Sequence, residues 1–206
     1  MTFVAEAPNF HTEMRQVLRA RVIDTARNLV CTEGWGAVNM SRVAKEVGVS
    51  RPVLYKEIGT KQDLADVVIA NELDTFLTGI ADTIATQADD VIDGLTAAVE
   101  YTLRTGADNA LLKAVLAGRS SADTSLLPVL MTEPEPVLGR AIPALTAVVR
   151  NQYGLHDIAD DDLDTMVEAV VRLALSHLFQ PTGPIDRAVT QIGLVITSIF
   201  APAVTA

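Results

Sequence analysis

From Asn39 to Lys61 the chain reads NMSRVAKEVGVSRPVLYKEIGTK, and no other stretch restricts the backbone so tightly. Ala44, Gly48 and Leu54 stand at the spacing of two short helices joined by a tight turn. Ala44 falls where the helices cross, so its side chain has to be small. Gly48 follows the first helix, where a positive φ is needed and glycine adopts it without steric penalty. Val43, Val47, Val49 and Leu54 are placed to lock the pair against a third helix. Asn39 is expected to cap the first helix and Ser50 the second, each accepting an orphan backbone N–H. Pro52 falls in the first turn of the second helix, where its missing N–H costs nothing. Thr60 is placed to cap the next helix, with Asp63 three residues on as an imperfect capping box. Arg51, Lys56 and Lys61 surround the second helix with positive charge. A helix-turn-helix charged in this way presents a helix end to nucleic acid.

The net charge of −10 argues the other way until its distribution is considered. Residues 1–61 hold nine Lys/Arg and six Asp/Glu, a balance of +3. Residues 62–206 hold seven and 20, a balance of −13. Local charge steers association, so a basic head on an acidic body still approaches phosphate, and the body's repulsion helps orient it. Apolar residues make up 49% of the 206, enough for a sizeable core. No run approaches the about 18 apolar residues of a membrane span. A basic segment followed by an apolar run is missing near the N-terminus, so no signal peptide is expected and the expected compartment is the cytoplasm. Cys31 is the only cysteine, which rules out an intrachain disulfide. A small buried residue on the first helix is its expected role.

The rest of the chain reads as helix, with no strand signal of any length. Residues 1–12 lack a clear period and are expected to form an arm. Val17, Leu18, Val22, Ile23, Ala26, Leu29 and Val30 recur at helical spacing over 13–33, and Gly34 ends that helix. Trp35 and Val38 are expected under the helical pair as core. A long helix over 61–85 buries Leu64, Val67, Val68, Leu73, Leu77 and Ile80 and joins head to body. Further helices are expected over 89–105, with Asp89 and Asp90 at its positive end, and over 109–117. A short helix over 124–131 precedes a proline-broken loop. The helix over 136–153 carries Pro143, expected to kink it. The last two helices span 160–179 and 185–200. Asp160, Asp161 and Asp162 open the former, and contiguous carboxylates there read as solvated dipole partners rather than metal ligands. Both terminal helices carry apolar arcs wide for a surface helix. Val170, Leu173, Ala174 and His177 on one, with Val189, Ile192, Ile196 and Phe200 on the other, are therefore candidates for a homodimer interface. The alternative is that both helices are central in the monomer core.

The first helix ending at Glu33-Gly34-Trp35, with Val43-Ala44, Gly48-Val49-Ser50, Leu54-Tyr55 and Lys61-Gln62-Asp63-Leu64, resembles the tetracycline-repressor (TetR) family of one-component regulators. The direct likeness covers roughly the first 65 residues. It implies an all-α fold: a helix-turn-helix domain over 1–60 and a larger ligand-binding and dimerisation domain over 61–206. It also implies a regulator, expected to be a repressor, that binds a pseudo-palindromic operator as a homodimer and leaves it when a small hydrophobic effector binds. Two recognition helices would then enter successive major grooves about 34–36 Å apart.

By position, the resemblance makes Tyr55 and Lys61 phosphate contacts and places Asn39 where a capping residue does the same. Arg51, Pro52 and Val53 begin the recognition helix, with Ser50 before them. Arg51 is the candidate for reading a base edge, since bidentate arginine to guanine is the commonest specific contact. Lys56 is next, for base or phosphate. Arg42 and Lys45 are candidate backbone contacts, with solvated surface charge as an equal reading. Pro52-Val53 replaces a frequent Gly-Thr pair, and Glu57-Ile58 a pair that is usually aromatic. These departures bear on affinity and sequence preference.

Candidate effector-pocket walls are Leu77, Ile80, Leu103, Leu111, Val115, Met131, Leu145, Val149 and Met166, with plain core packing as the competing role for each. Tyr101, Arg104, His177 and Gln180 are candidates for orienting a ligand. An enzyme is not expected: the sequence has no phosphate loop, no metal-ligand spacing and no nucleophile paired with a base. No cofactor or metal is expected. A helical small-molecule-binding protein without DNA binding, and an activator of the same fold, are the alternatives.

Overall fold

The computed structural model describes residues 10–87, 89–117 and 137–204, and every regular element among them is helical. In chain order these are α1 (Phe10–Glu33), α2 (Met40–Val47), α3 (Arg51–Glu57), α4 (Lys61–Thr86), α5 (Val91–Asp108), α6 (Ala110–Ala117), α7 (Leu138–Tyr153), α8 (Asp160–Phe179) and α9 (Ile185–Val204), with a 3-10 turn at Trp35–Ala37. The all-α class is as expected. Residues 10–12 belong to α1 rather than to an arm. The helix expected over 124–131 lies outside the described residues.

Side chains set the helix ends. Asn39 Oδ1 accepts the Arg42 N–H at 2.9 Å and opens α2. Gly48, at φ 83°, closes it with its N–H on the Ala44 carbonyl at 3.0 Å. Thr60 and Asp63 form a complete capping box. The Asp63 N–H donates to Thr60 Oγ1 at 3.2 Å, and the Thr60 N–H donates to Asp63 Oδ2 at 2.7 Å. Ser50 precedes α3 in extended conformation, but its side chain accepts no cap hydrogen bond, contrary to expectation. Asp90 caps α5 by accepting the Ile92 and Asp93 N–H groups at 2.7 and 3.1 Å, so that helix starts two residues later than the pattern indicated. Asn109 Oδ1 accepts the Leu112 N–H at 2.8 Å and opens α6. Pro143 lies inside α7, where it cannot donate to the carbonyl one turn before it.

Two apolar cores result. The head's core gathers Val22, Ala26 and Val30 of α1, Val43 and Ala44 of α2, and Leu54 of α3 around Val38 and Trp35. It also takes Leu64, Ala65, Val68 and Ile69 from α4 and Leu111 and Val115 from α6. Its packing therefore extends past residue 60. Cys31 packs against this core half-buried, not enclosed. The body's core joins the far half of α4 to α5, α7, α8 and α9, with α5 packed against α4, α6, α8 and α9.

The terminal helices correct one expectation. Val170, Ala174, Ile192, Ile196 and Phe200 are buried within the single chain, Phe200 and Ile196 completely. The wide arc on α9 exists because that helix packs against both α5 and α8. Of the residues offered for an interface, Leu173, His177 and Val189 are half-buried. Leu194 is 66% exposed on the outer side of α9, beside exposed Thr190, Gln191, Thr197 and Ser198.

Candidate nucleic-acid interface and the cavity behind it

On the head, Lys45, Arg51 and Lys56 are exposed, and their side chains have no hydrogen-bond or ion-pair partner among the described residues. Arg51 is the first residue of α3 and Pro52 the second. Val53 and Tyr55 are 40% and 51% exposed, on a helix anchored by fully buried Leu54. The Ser50 hydroxyl is exposed and not used as a cap. The outward side of α3 is thus one guanidinium, one ammonium, one phenol and a short apolar step.

Two other candidate contacts are engaged elsewhere. Arg42 holds Glu33 through both terminal nitrogens, at 2.5 and 2.7 Å, and Glu46 through Nε at 2.9 Å. That hydrogen bonding holds the Glu33 carboxyl below its usual value and raises the arginine. Lys61 is half-buried, with Nζ 3.3 Å from the Trp35 carbonyl and 4.9 Å from the centre of its ring. Asn39 is exposed, and its side-chain oxygen caps α2. Glu57 pairs with Arg15 at 2.9 Å, and its side chain is only 13% exposed. Ile58 is buried in the head's core, so the departure from an aromatic pair is a packing change.

Within the body lies a cavity of about 170 Å³. Its walls are Leu73, Leu77, Ile80 and Ile84 of α4, Ala98 and Val99 of α5, Ala141, Leu145 and Val149 of α7, and Val167, Val170 and Ala174 of α8. Leu111 and Leu112 of α6 complete it toward the head. Leu77, Ile80, Leu111, Leu145 and Val149 thus face one space. The other candidates lie elsewhere. Leu103 is buried beside a second hollow of about 280 Å³ that His177 also lines. Val115 belongs to the head's core, and Met166 packs on the body's core away from the cavity. Tyr101 presses its ring on Gly79 of α4. Arg104 stays at the surface with Glu100 at 2.8 Å and Asp186 at 2.7 Å, and Gln180 is exposed. Met131 lies outside the described residues.

Three polar residues on the cavity wall escape a periodicity reading: Glu72, Thr102 and Asn109. Glu72 accepts from Arg27 Nε at 2.8 Å and Nη2 at 3.2 Å, and from the Asn109 side-chain amide. This ties α1 to α4 and to the start of α6 at the cavity's edge. Burial raises the Glu72 carboxyl, but the hydrogen bonds from Arg27 and Asn109 outweigh it and hold the group below its usual value. The available signal was an acid beside Leu73 and Phe76 on an apolar stretch of α4. Among the described residues no group of three His, Cys, Asp or Glu is placed to hold a metal, and no helix is long and apolar enough to cross a membrane.

Known proteins are similar to this chain in both of its parts. The family described as bacterial regulatory proteins, tetR family, matches residues 22–68, and the bacterial tetracyclin repressor C-terminal domain matches 90–198. The HTH-type transcriptional regulator AlkX of Mycobacterium tuberculosis is 26% identical over 167 residues, 81% of this chain and 77% of that protein. A crystal structure of the TetR family repressor AlkX from a Dietzia species, implicated in biodegradation of n-alkanes, superposes with a TM-score of 0.72 at 24% identity, covering 89% of this chain and 95% of that one. RolR in complex with resorcinol superposes at 0.59 and 17% identity, covering 93% of each chain. With a helix-turn-helix head on a hollow helical body and both parts matched, the chain belongs to the TetR family of ligand-responsive, DNA-binding transcriptional regulators.

Proposed function

We propose that this chain is a cytoplasmic repressor that binds a pseudo-palindromic operator as a homodimer and leaves it when an apolar effector fills the body's cavity. It acts as a regulator rather than as an enzyme. The observation that carries this reading is α4. Its first turns are enclosed in the head's core, and its later turns form one wall of the cavity. A ligand that prefers one position of α4 changes the spacing of two heads, and affinity for DNA falls by that difference in ligand affinity.

In this reading Arg51 reads a base edge, Lys56, Tyr55, Lys45 and Ser50 hold phosphates, and Pro52 and Val53 face the groove. Arg42 and Lys61 brace the head through Glu33, Glu46 and Trp35, and Asn39 serves chiefly as a cap. Dimer contact falls on the outer side of α8 and α9 around Leu194, with half-buried Leu173, His177 and Val189 beside it. The apolar walls fit a hydrocarbon-like effector, in keeping with a relative implicated in n-alkane biodegradation.

The test is binding to DNA from upstream of the protein's own gene across a salt series. Arg51→Ala should cost about 1–3 kcal/mol per half-site and relax base preference at one position. Lys56→Ala should weaken all sequences alike and lower the salt slope by about 1 per protomer. If the unsubstituted protein shows no salt-dependent binding to any selected sequence, the regulator reading is abandoned.

A further inference from the structure

We propose that the effector is an apolar molecule ending in a neutral hydrogen-bond donor, a primary alcohol being the simplest, with its head group against Glu72 and Thr102. The proposal rests on the cavity being the effector site and on the donors and acceptors left on its wall.

Glu72 lies on that wall as an ion-paired carboxylate, which accepts hydrogen bonds and donates none. Its Oε1 already takes one bond from Arg27 and one from Asn109, while Oε2 takes only one, from Arg27. Thr102 spends its hydroxyl hydrogen on the Ala98 carbonyl at 2.8 Å, which leaves oxygen lone pairs. Asn109 spends its oxygen on the Leu112 N–H and one amide hydrogen on Glu72. Among the described residues the capacity left on the wall is therefore mostly acceptor, with one amide hydrogen against it.

That balance discriminates among apolar ligands of equal length. A carboxylate would add a second negative charge near Glu72 and find almost no donor, and an unpaired buried charge is costly. An alkane would leave the free Glu72 and Thr102 lone pairs dry. A hydroxyl donates to one of them and can accept from Asn109. No cation is required, because Arg27 already neutralises Glu72. The same carboxylate anchors α1, so a head group on Glu72 draws on the contact between the cavity and the head.

Titration calorimetry and thermal-unfolding shifts on the full chain, with 1-decanol, decanoate and decane as probes, test this beside operator release. 1-Decanol should bind about 10-fold or more tighter than decanoate, a difference of about 1.4 kcal/mol, and release the operator. Glu72→Gln should shrink that ratio to about threefold or less, mainly by improving decanoate. Thr102→Val leaves the Arg27 pair alone and should weaken 1-decanol while improving decane, which then strands no hydroxyl lone pairs. Decanoate binding to the unsubstituted protein as tightly as 1-decanol would overturn the proposal and leave the cavity as an effector site. So would a ratio that survives both substitutions. If none of the three probes binds or releases DNA, the effector-site reading falls, and this inference with it.

Discussion

Leu54 in the head and Leu145 in the body are both buried leucines on helices, but their surroundings differ. Leu54 is wholly enclosed among α1, α2 and α4 side chains. Leu145 is 8% exposed and turns one side to the cavity. The head must hold Arg51 and Lys56 at a fixed spacing, and close packing achieves that. The body must admit a molecule, so it keeps a void whose lining forgoes contact energy. One chain thus uses tight packing where geometry is read and loose packing where chemistry is sensed.

The pair of leucines makes this measurable. By denaturant unfolding, Leu54→Ala should cost about 4–5 kcal/mol and Leu145→Ala about 2–3, since a cavity-lining side chain has fewer contacts to lose. Equal costs would mean that the cavity closes in solution. Backbone strain should not distinguish the regions. Gly48 in the head and Gly154 in the body both end helices at positive φ, 83° and 65°, with open space where a Cβ would go. Alanine at either should cost about 1–2 kcal/mol, and a much larger cost at one would show a side-chain clash that this geometry lacks. The smallest effect is the one that inverts the rule: Ala141→Leu, which fills the cavity, should stabilise by about 0.5–1 kcal/mol while abolishing effector-driven release from DNA. A destabilised Ala141→Leu that still responds would place the effector elsewhere.

What the sequence made legible follows the same divide. The turn at Gly48, the Asn39 cap and the Thr60–Asp63 box each depend on residues within four positions, so local chemistry specified them. Ser50 shows the limit, because a permitted cap was not made. Helical period identified the buried side of α4 but not which core each apolar residue joins. Val115 turned to the head because α6 lies against α1, and Ile192 and Ile196 turned inward because α9 meets two helices. Partners remote in sequence were beyond a period-based reading. Arg42 is drawn to Glu33 nine residues before it, and Glu72 to Arg27 and Asn109, 45 and 37 residues away.

The way α4 and α6 are shared has an engineering consequence. Exchanging recognition heads between regulators is attractive as a way to rewire promoters, and residue 60 is the obvious junction. A cut there strands Leu64, Ala65, Val68 and Ile69 on the donor's side of the seam and leaves Leu111 and Val115 facing foreign partners. Chimeras joined at residue 60 should aggregate or fall to proteases unless those six positions travel with the head. The portable unit is a discontinuous surface, and the rate at which such heads are reshuffled in evolution would be limited by that seam rather than by the recognition helix.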